Sequence, residues 1–160
     1  LGVHLGDALD VALTAANAGA APLAHAGALH TYLACAAATA RVRGLAGLPG
    51  HGPDEDPTPF VEADDAIALD GRELTRTWHD DGAPRAIVLS DGQRTRRIAR
   101  RGSRSVLLWN PGAARAAAIP DLDAESWRSF VCIEAANVDH DARRIAPGAS
   151  HTLATTIAAD

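Results

Sequence analysis

The sequence predicts an all-β fold, and two patterns lead to that prediction. The first is a period of two in hydrophobicity: Leu9, Val11 and Leu13 alternate with small or polar residues, as they do in a strand with one buried face. The second is a regular recurrence of turn signals such as Asp70-Gly71, roughly every ten residues along the chain. Many short strands separated in this way indicate an antiparallel β-sandwich or barrel.

Alanine is abundant and would favour helix, but helix propensity is a weaker guide than periodicity. Two connections interrupt the strand pattern. Residues at about 48–64 are rich in proline, glycine and acidic side chains and are predicted to form an exposed loop. Residues 113–126 are predicted to hold a turn or a short helix. We predict strands at residues 1–5, 8–18, 23–35, 39–45, 66–69, 74–79, 86–89, 94–100, 105–109, 127–138 and 150–158.

A chain of 160 residues is long enough for one domain with its own core, and we expect a single domain over residues 1–160. Its formal net charge of -5 offers no general attraction to nucleic acid. The arginines between residues 94 and 104 form the one basic cluster. Because no aromatic residues interleave with them to stack on bases, we predict a solvated strand face and no nucleic-acid partner.

The two cysteines, Cys35 and Cys132, lack metal-ligand spacing and lie among apolar residues, so we expect buried, reduced thiols. The apolar runs are far shorter than the roughly 20 residues of a membrane-spanning helix. No charged-then-apolar signal segment opens the chain. We therefore expect a soluble, cytoplasmic protein with no membrane partner.

Function is indicated by a series of short motifs in a particular order, which together cover nearly the whole chain. They resemble the C-terminal part of the hexose-6-phosphate mutarotases, which are glucose-6-phosphate 1-epimerases of the aldose 1-epimerase superfamily. The motifs are Asp7–Gly19, Ala-Leu-His-Thr-Tyr-Leu at 28–33, Asp70-Gly71 followed by Arg76, Leu-Trp-Asn-Pro-Gly at 108–112, Phe-Val-Cys-Ile-Glu-Ala-Ala at 130–136, and Pro-Gly-Ala-Ser-His-Thr-Leu at 147–153.

The resemblance implies a galactose-mutarotase-like antiparallel β-sandwich, truncated at its N-terminus, with a sugar or sugar phosphate in a groove across a concave face. It also implies that His30 and Glu134 are the catalytic pair that interconverts the α and β anomers. Neither a metal nor an organic cofactor is implied. Members of the family are longer, and the N-terminal part carries the arginines that clamp the 6-phosphate.

The chemistry of anomer exchange agrees with this pair. The C1 hydroxyl must lose a proton while the ring oxygen gains one. A glutamate in the apolar context of Glu134 is predicted to be partly desolvated, which raises its basicity. Histidine titrates near neutrality, so His30 can hold a proton to give.

Further residues are assigned from the same motifs. Trp109 can stack on the apolar face of a pyranose, with Asn110 beside it, although core packing and a strand-end turn would explain both equally well. Thr75 and Arg76 are predicted to contact the substrate, and Thr75 stands where the family usually has an aspartate before the arginine. The remaining histidines are expected to be surface or structural residues: His4, His25, His51, His79, His140 and His151.

Three functions follow as hypotheses. The first is a cofactor-independent mutarotase acting on an aldohexose 6-phosphate, which the retention of both His30 and Glu134 favours. The second is a carbohydrate-binding or regulatory module on the same fold, which Thr75 and the missing arginines favour. The third is an aldose 1-epimerase acting on an unphosphorylated hexose.

Overall fold

The computed structural model describes residues 1–53, 55–80, 82–83 and 85–159. Half of the chain is strand and 8% is helix, so the predicted all-β, antiparallel sandwich is confirmed. The strands are β1 (Gly2–Leu5), β2 (Ala8–Ala16), β3 (Leu23–His25), β4 (Gly27–Leu29), β5 (Tyr32–Ala34), β6 (Arg41–Arg43), β7 (Pro49–His51), β8 (Pro59–Val61), β9 (Ala66–Ala68), β10 (Leu74–His79), β11 (Ile87–Ser90), β12 (Thr95–Arg101), β13 (Ser105–Asn110), β14 (Phe130–Asn137), β15 (Arg143–Ile145) and β16 (Ser150–Ala159).

The helical elements are short. Helix α1 spans Gly112–Ala118, and two 3-10 turns span Ser126–Arg128 and Asp139–Asp141. Helix α1 is the short helix predicted within 113–126. No helix in the described ranges is long and apolar enough to cross a membrane.

The strands form two large sheets and a small one. The first sheet has the order β1-β2-β16-β12-β11-β6-β9, and the second has the order β4-β14-β13-β10-β7-β8, with β5 also pairing with β14. Strands β15 and β3 pair separately. The pairs within both large sheets are antiparallel.

The main hydrophobic core lies between the two large sheets. Ile98 and Leu89 contribute from the first sheet, and Trp78, Leu108 and Ile133 contribute from the second, each of them 1% exposed or less. Burial of one such side chain stabilises a fold by about 1.5–3 kcal/mol. Because side chains alternate along a strand, the residues between these core positions in the second sheet point away from the core, onto its outer face.

The register of the second sheet aligns four of these outer-face residues in one row. Glu134 on β14 pairs with Leu107 on β13, which pairs with Thr77 on β10, which pairs with His51 on β7. Directly paired residues of neighbouring strands lie on the same face. The row therefore crosses four strands of the outer face.

The stretch at 48–64 differs from the predicted exposed loop. Strands β7 and β8 within it form a hairpin that extends the second sheet beyond β10, and Glu62 is buried. Pro49 and Pro59 are each the first residue of a short strand, a position where a missing backbone donor does little harm. Asp54, in the same stretch, lies outside the described residues.

The segment predicted as one strand over 23–35 consists of three short strands. Strand β3 leaves to pair with β15, whereas β4 and β5 both pair with β14. Leu29 pairs with Ala135 and Tyr32 pairs with Cys132. The two residues between β4 and β5 therefore stand across from residues 133–134.

The arginine-rich segment is strand β12, and Arg97 and Arg101 are exposed as predicted. Arg96 and Arg100 are partly buried, and Arg100 departs furthest from the prediction. Its side chain is 4% exposed and forms an ion pair with Asp80, whose side chain is 2% exposed, at 2.5 Å. Cys35 and Cys132 are both buried free thiols, in agreement with the prediction.

Candidate active site

His30 and Glu134 face each other across neighbouring strands. Their closest atoms, Nε2 of His30 and Oε1 of Glu134, are 3.4 Å apart. Glu134 lies in the middle of β14, whose residues are all buried, and its side chain is only 3% exposed. The side chain of His30 is 48% exposed because it follows the end of β4. The pair thus joins a buried carboxylate to an imidazole that solvent or a ligand can reach.

Burial sets the acidity of Glu134. Desolvation raises the pKa of its carboxyl from 4.5 to about 7, because burial removes the hydration that stabilises the charged form. Within the described part of the chain, Oε1 has no hydrogen-bond partner. An unpaired buried oxygen with a pKa near neutrality is suited to accept a proton from a ligand hydroxyl.

Aromatic rings surround the histidine. The ring of His30 lies 4.9 Å from that of Tyr32 and 5.8 Å from that of Trp109. Phe130 contacts both of these aromatic rings, at 5.1 Å from Tyr32 and 5.9 Å from Trp109. Tyr32, Trp109 and Phe130 together form an aromatic wall beside His30. Tyr32 is 58% exposed, so this wall reaches the surface. Burial, followed by the charges of Cys132 and Glu134, raises the pKa of Tyr32, which keeps its hydroxyl protonated.

Trp109 and Asn110, predicted together, have different surroundings. Trp109 joins the aromatic wall beside His30. Asn110 is 1% exposed, and its amide nitrogen donates to the carbonyls of Trp127 and Phe130 at 2.9 and 2.7 Å. Its side-chain oxygen accepts from the Gly112 backbone nitrogen at 2.9 Å. The predicted substrate contact by Asn110 is therefore corrected: adjacent strand residues point to opposite faces, and this amide is fully used inside the protein.

The side chains of Thr75 and Arg76 also point to opposite faces of the sheet. Thr75 pairs directly with Trp109 and shares the outer face. Arg76 points to the opposite face, where its guanidinium is 3.2 Å from the buried carboxylate of Glu62 and lies over the ring of Phe60. The side chain of Arg76 is 40% exposed beside this ion pair, and its substrate contact stays a prediction. The substrate contact of Thr75 stays a prediction.

A second group of polar side chains lies further along the outer face. Asp139 is within 3.3 Å of both His51 and His79. These two histidines were predicted to be structural or surface residues, and Asp139 was not predicted as a site residue. The three residues are far apart in the chain and form no local motif, so only the fold brings them together.

The sequence matches a family model described as "Aldose 1-epimerase" over residues 1–158. The chain belongs to the aldose 1-epimerase family. None of the curated proteins matches it.

Several solved structures share the fold. A candidate mutarotase from Salmonella typhimurium is 23% identical and superposes with a TM-score of 0.84, covering 98% of this chain and 51% of that one. A candidate aldose 1-epimerase from Escherichia coli K12 is 15% identical with a TM-score of 0.74, covering 99% and 58%. A galactose mutarotase-related enzyme from Lactobacillus acidophilus is 11% identical with a TM-score of 0.75, covering 99% and 59%. This aldose 1-epimerase family chain spans between half and three fifths of the length of these structures.

Proposed function

We propose that this chain carries the acid–base pair of a mutarotase that interconverts the α and β anomers of an aldohexose 6-phosphate. The observation that carries the proposal is the contact between His30 and the buried, unpaired carboxylate of Glu134, 3.4 Å apart on an accessible face. Membership of the aldose 1-epimerase family supports the reaction type. The residues assigned here act by proton transfer.

The reaction requires two proton transfers. The carboxylate of Glu134 accepts the proton of the C1 hydroxyl while His30 donates a proton to the ring oxygen, and the bond between C1 and the ring oxygen breaks. Rotation about the C1–C2 bond turns the other face of the aldehyde toward the C5 hydroxyl. When the ring closes, Glu134 returns its proton to the C1 oxygen, and the C5 hydroxyl returns a proton to His30. A base with a pKa of about 7 is well matched to this cycle, because it is half charged near neutral pH.

The surroundings of the pair are suited to a pyranose. The aromatic wall of Tyr32 and Trp109 offers flat apolar surface beside His30, against which the C–H face of a sugar can stack. Thr75 lies beside Trp109 and can hydrogen-bond a sugar hydroxyl. The preference for a 6-phosphate rests on the residues of the motifs at 108–112 and 130–136. These resemble the sugar-phosphate branch of the superfamily more than the branch that acts on unphosphorylated sugars.

Two observations favour a non-catalytic carbohydrate-binding module as the second candidate. Thr75 replaces the aspartate usual in the family, and Arg76 is occupied by Glu62 on the other face. In this alternative, neither residue provides a charged contact to the sugar. Binding without turnover is the outcome that this alternative predicts.

Glu134→Gln distinguishes the two candidates. The amide retains the shape and one acceptor oxygen but cannot take up a proton at neutral pH. We expect exchange between the α and β C1 protons of glucose 6-phosphate, measured by magnetisation transfer, to fall about 10²- to 10⁴-fold while sugar-phosphate binding persists. His30→Asn should also slow exchange, and the double variant should lose less than the sum of the single losses.

Glu125→Gln is the matched control, because Glu125 is 70% exposed and pairs with Arg128 at the surface. Its exchange rate should equal that of the parent. Equal rates in Glu134→Gln and the parent would contradict the catalytic assignment. Binding of glucose 6-phosphate with no exchange in the parent would support the binding module.

A further inference from the structure

His51, His79 and Asp139 form a compact group of polar side chains, here called the His-His-Asp cluster. His51 lies at the end of β7, His79 at the end of β10, and Asp139 opens the 3-10 turn after β14. Nε2 of His51 is 3.1 Å from Oδ2 of Asp139, and Nε2 of His79 is 3.3 Å from the same oxygen. All three potential ligand atoms lie within 4.8 Å of one another.

A hydrogen bond at Nδ1 of His51 determines which nitrogen of this ring faces Asp139. Nδ1 of His51 is 2.7 Å from the carbonyl oxygen of Gly52, which can only accept, so this nitrogen carries the hydrogen. Nε2 of His51 is then the nitrogen that faces Oδ2 of Asp139, and it is the atom of this ring that is placed to bind a metal ion together with Asp139 and His79.

The spacing suits a tetrahedral metal ion. Bonds of about 2.0–2.1 Å to nitrogen and oxygen place the ligand atoms of tetrahedral Zn²⁺ about 3.3 Å apart. Two of the three separations in the cluster are 3.1 and 3.3 Å. In metal-bound histidines, the ring nitrogen that does not bind the metal usually forms a hydrogen bond. Here Nδ1 of His51 is bonded to the Gly52 carbonyl, and Nδ1 of His79 is bonded to the Ser105 hydroxyl at 3.0 Å.

The cluster is accessible to an ion and has room for another ligand. It lines a cavity of about 890 Å³ that also includes Pro49, Pro59 and His140. His79 is buried, whereas the side chain of Asp139 is 45% exposed and faces an entry path from solvent. Two histidines and one carboxylate leave a coordination position open to water or to a small anionic ligand.

We propose that His51, His79 and Asp139 form a binding site for a divalent transition metal ion, Zn²⁺ in the first instance. The site is separate from His30 and Glu134. His51 is three strands away from Glu134 in the same row of the second sheet, or about 14 Å at the usual strand spacing. The proposal therefore does not depend on the proposed mutarotase activity.

The ligand set also predicts selectivity. Imidazole nitrogen favours zinc and its transition-metal neighbours, whereas Mg²⁺ and Ca²⁺ prefer sites made of oxygen. Zn²⁺ should therefore saturate the site at one ion per chain in the presence of excess Mg²⁺. Co²⁺ bound in its place should give the visible spectrum of a tetrahedral nitrogen and oxygen site without a thiolate charge-transfer band, since both cysteines are buried elsewhere.

The test is a titration of the reduced chain with Zn²⁺ against a chromophoric chelator. Losing even an outer-shell partner of a metal ligand typically lowers affinity 10- to 100-fold. We therefore expect His51→Ala to weaken binding by about 100-fold or more and Asp139→Asn by about tenfold or more. His4→Ala is the matched control, because His4 also faces an aspartate, Asp10, at 3.9 Å on the surface. Its affinity should match that of the parent.

Asp139→Asn keeps the proposal testable if His51→Ala unfolds, because the Asp139 side chain is half exposed and packs little. Circular dichroism without metal would verify the fold of each variant. The proposal would be overturned by the lack of saturable Zn²⁺ binding in the parent. It would equally be overturned by parent-like affinity in a folded Asp139→Asn.

Discussion

The carboxylate of Glu134 is unusual at the scale of single residues. It sits in a fully buried strand, and one of its oxygens lacks a hydrogen-bond partner among the described residues. A buried polar atom left unpaired costs on the order of 1–3 kcal/mol of stability. A residue kept under such conditions has a pKa near neutrality, which an exposed glutamate does not have.

This acidity predicts how Glu134 affects stability with pH. Its carboxyl has a pKa of about 7 in the folded chain and about 4.5 when exposed, so the folded state holds the proton more tightly. Stability must therefore fall as pH rises between these values. In urea unfolding, the stability of the parent relative to Glu134→Gln should be lower at pH 8 than at pH 5, by roughly 1 kcal/mol or more. Parallel pH profiles for the two proteins would contradict the raised pKa.

At the scale of elements, Asn110 joins three pieces of structure. It ends β13, and its amide binds the backbone at the start of β14, at the 3-10 turn before it and at the start of α1. These hydrogen bonds position the strand that carries Glu134. The side chain that was expected to bind sugar instead supports the strand behind the site.

Removing this amide should therefore weaken the fold. Asn110→Ala leaves the buried Phe130 carbonyl, the part-buried Trp127 carbonyl and the buried Gly112 N–H without their partner, and we expect the free energy of unfolding in urea to fall by about 2–4 kcal/mol. Gln93→Ala, which truncates an exposed amide, is the control and should change stability by about 0.5 kcal/mol or less. A loss in Asn110→Ala no larger than in this control would show that the hydrogen bonds are dispensable.

The sequence predicts some of these elements well and others poorly, for physical reasons. The strand at 74–79 is observed as predicted, because alternation and flanking turns are local signals. Strands β7 and β8 were missed because their prolines and glycines carry no strand signal. They are stabilised by long-range pairing, since β7 pairs with β10 and β8 pairs with β7. His30 and Glu134 were predicted from local motifs, and the fold brings them within 3.4 Å of each other, whereas the His-His-Asp cluster is assembled only by long-range contacts.

At the scale of the whole molecule, one ion pair connects the two large sheets. Arg100 belongs to β12 of the first sheet, and Asp80 directly follows β10 of the second. Arg100 also donates to the carbonyl of Ser105 on β13 at 3.2 Å. Both charged side chains are almost fully buried, so each depends on the other for compensation.

Breaking this pair should destabilise the chain strongly. Arg100→Met leaves the Asp80 carboxylate buried without its partner, and we expect the free energy of unfolding to fall by about 3–5 kcal/mol. Arg100→Met combined with Asp80→Asn should recover part of that loss, because the uncompensated charge is gone. Arg101→Met, at an exposed position of the same strand, serves as the comparison. Additive losses in the double variant would mean that the two charges do not depend on each other.

The number of residues between β4 and β5 determines which residue lies across from Glu134. Leu29 and Tyr32 pair with Ala135 and Cys132, so the spacing of two residues on each strand keeps His30 across from Glu134. A single-residue insertion or deletion here would turn the imidazole to the other side of the sheet while leaving most of the ladder intact. Relatives with such an indel are expected to fold without the contact between His30 and Glu134, and a comparison of sequence lengths at this segment would identify them before any assay.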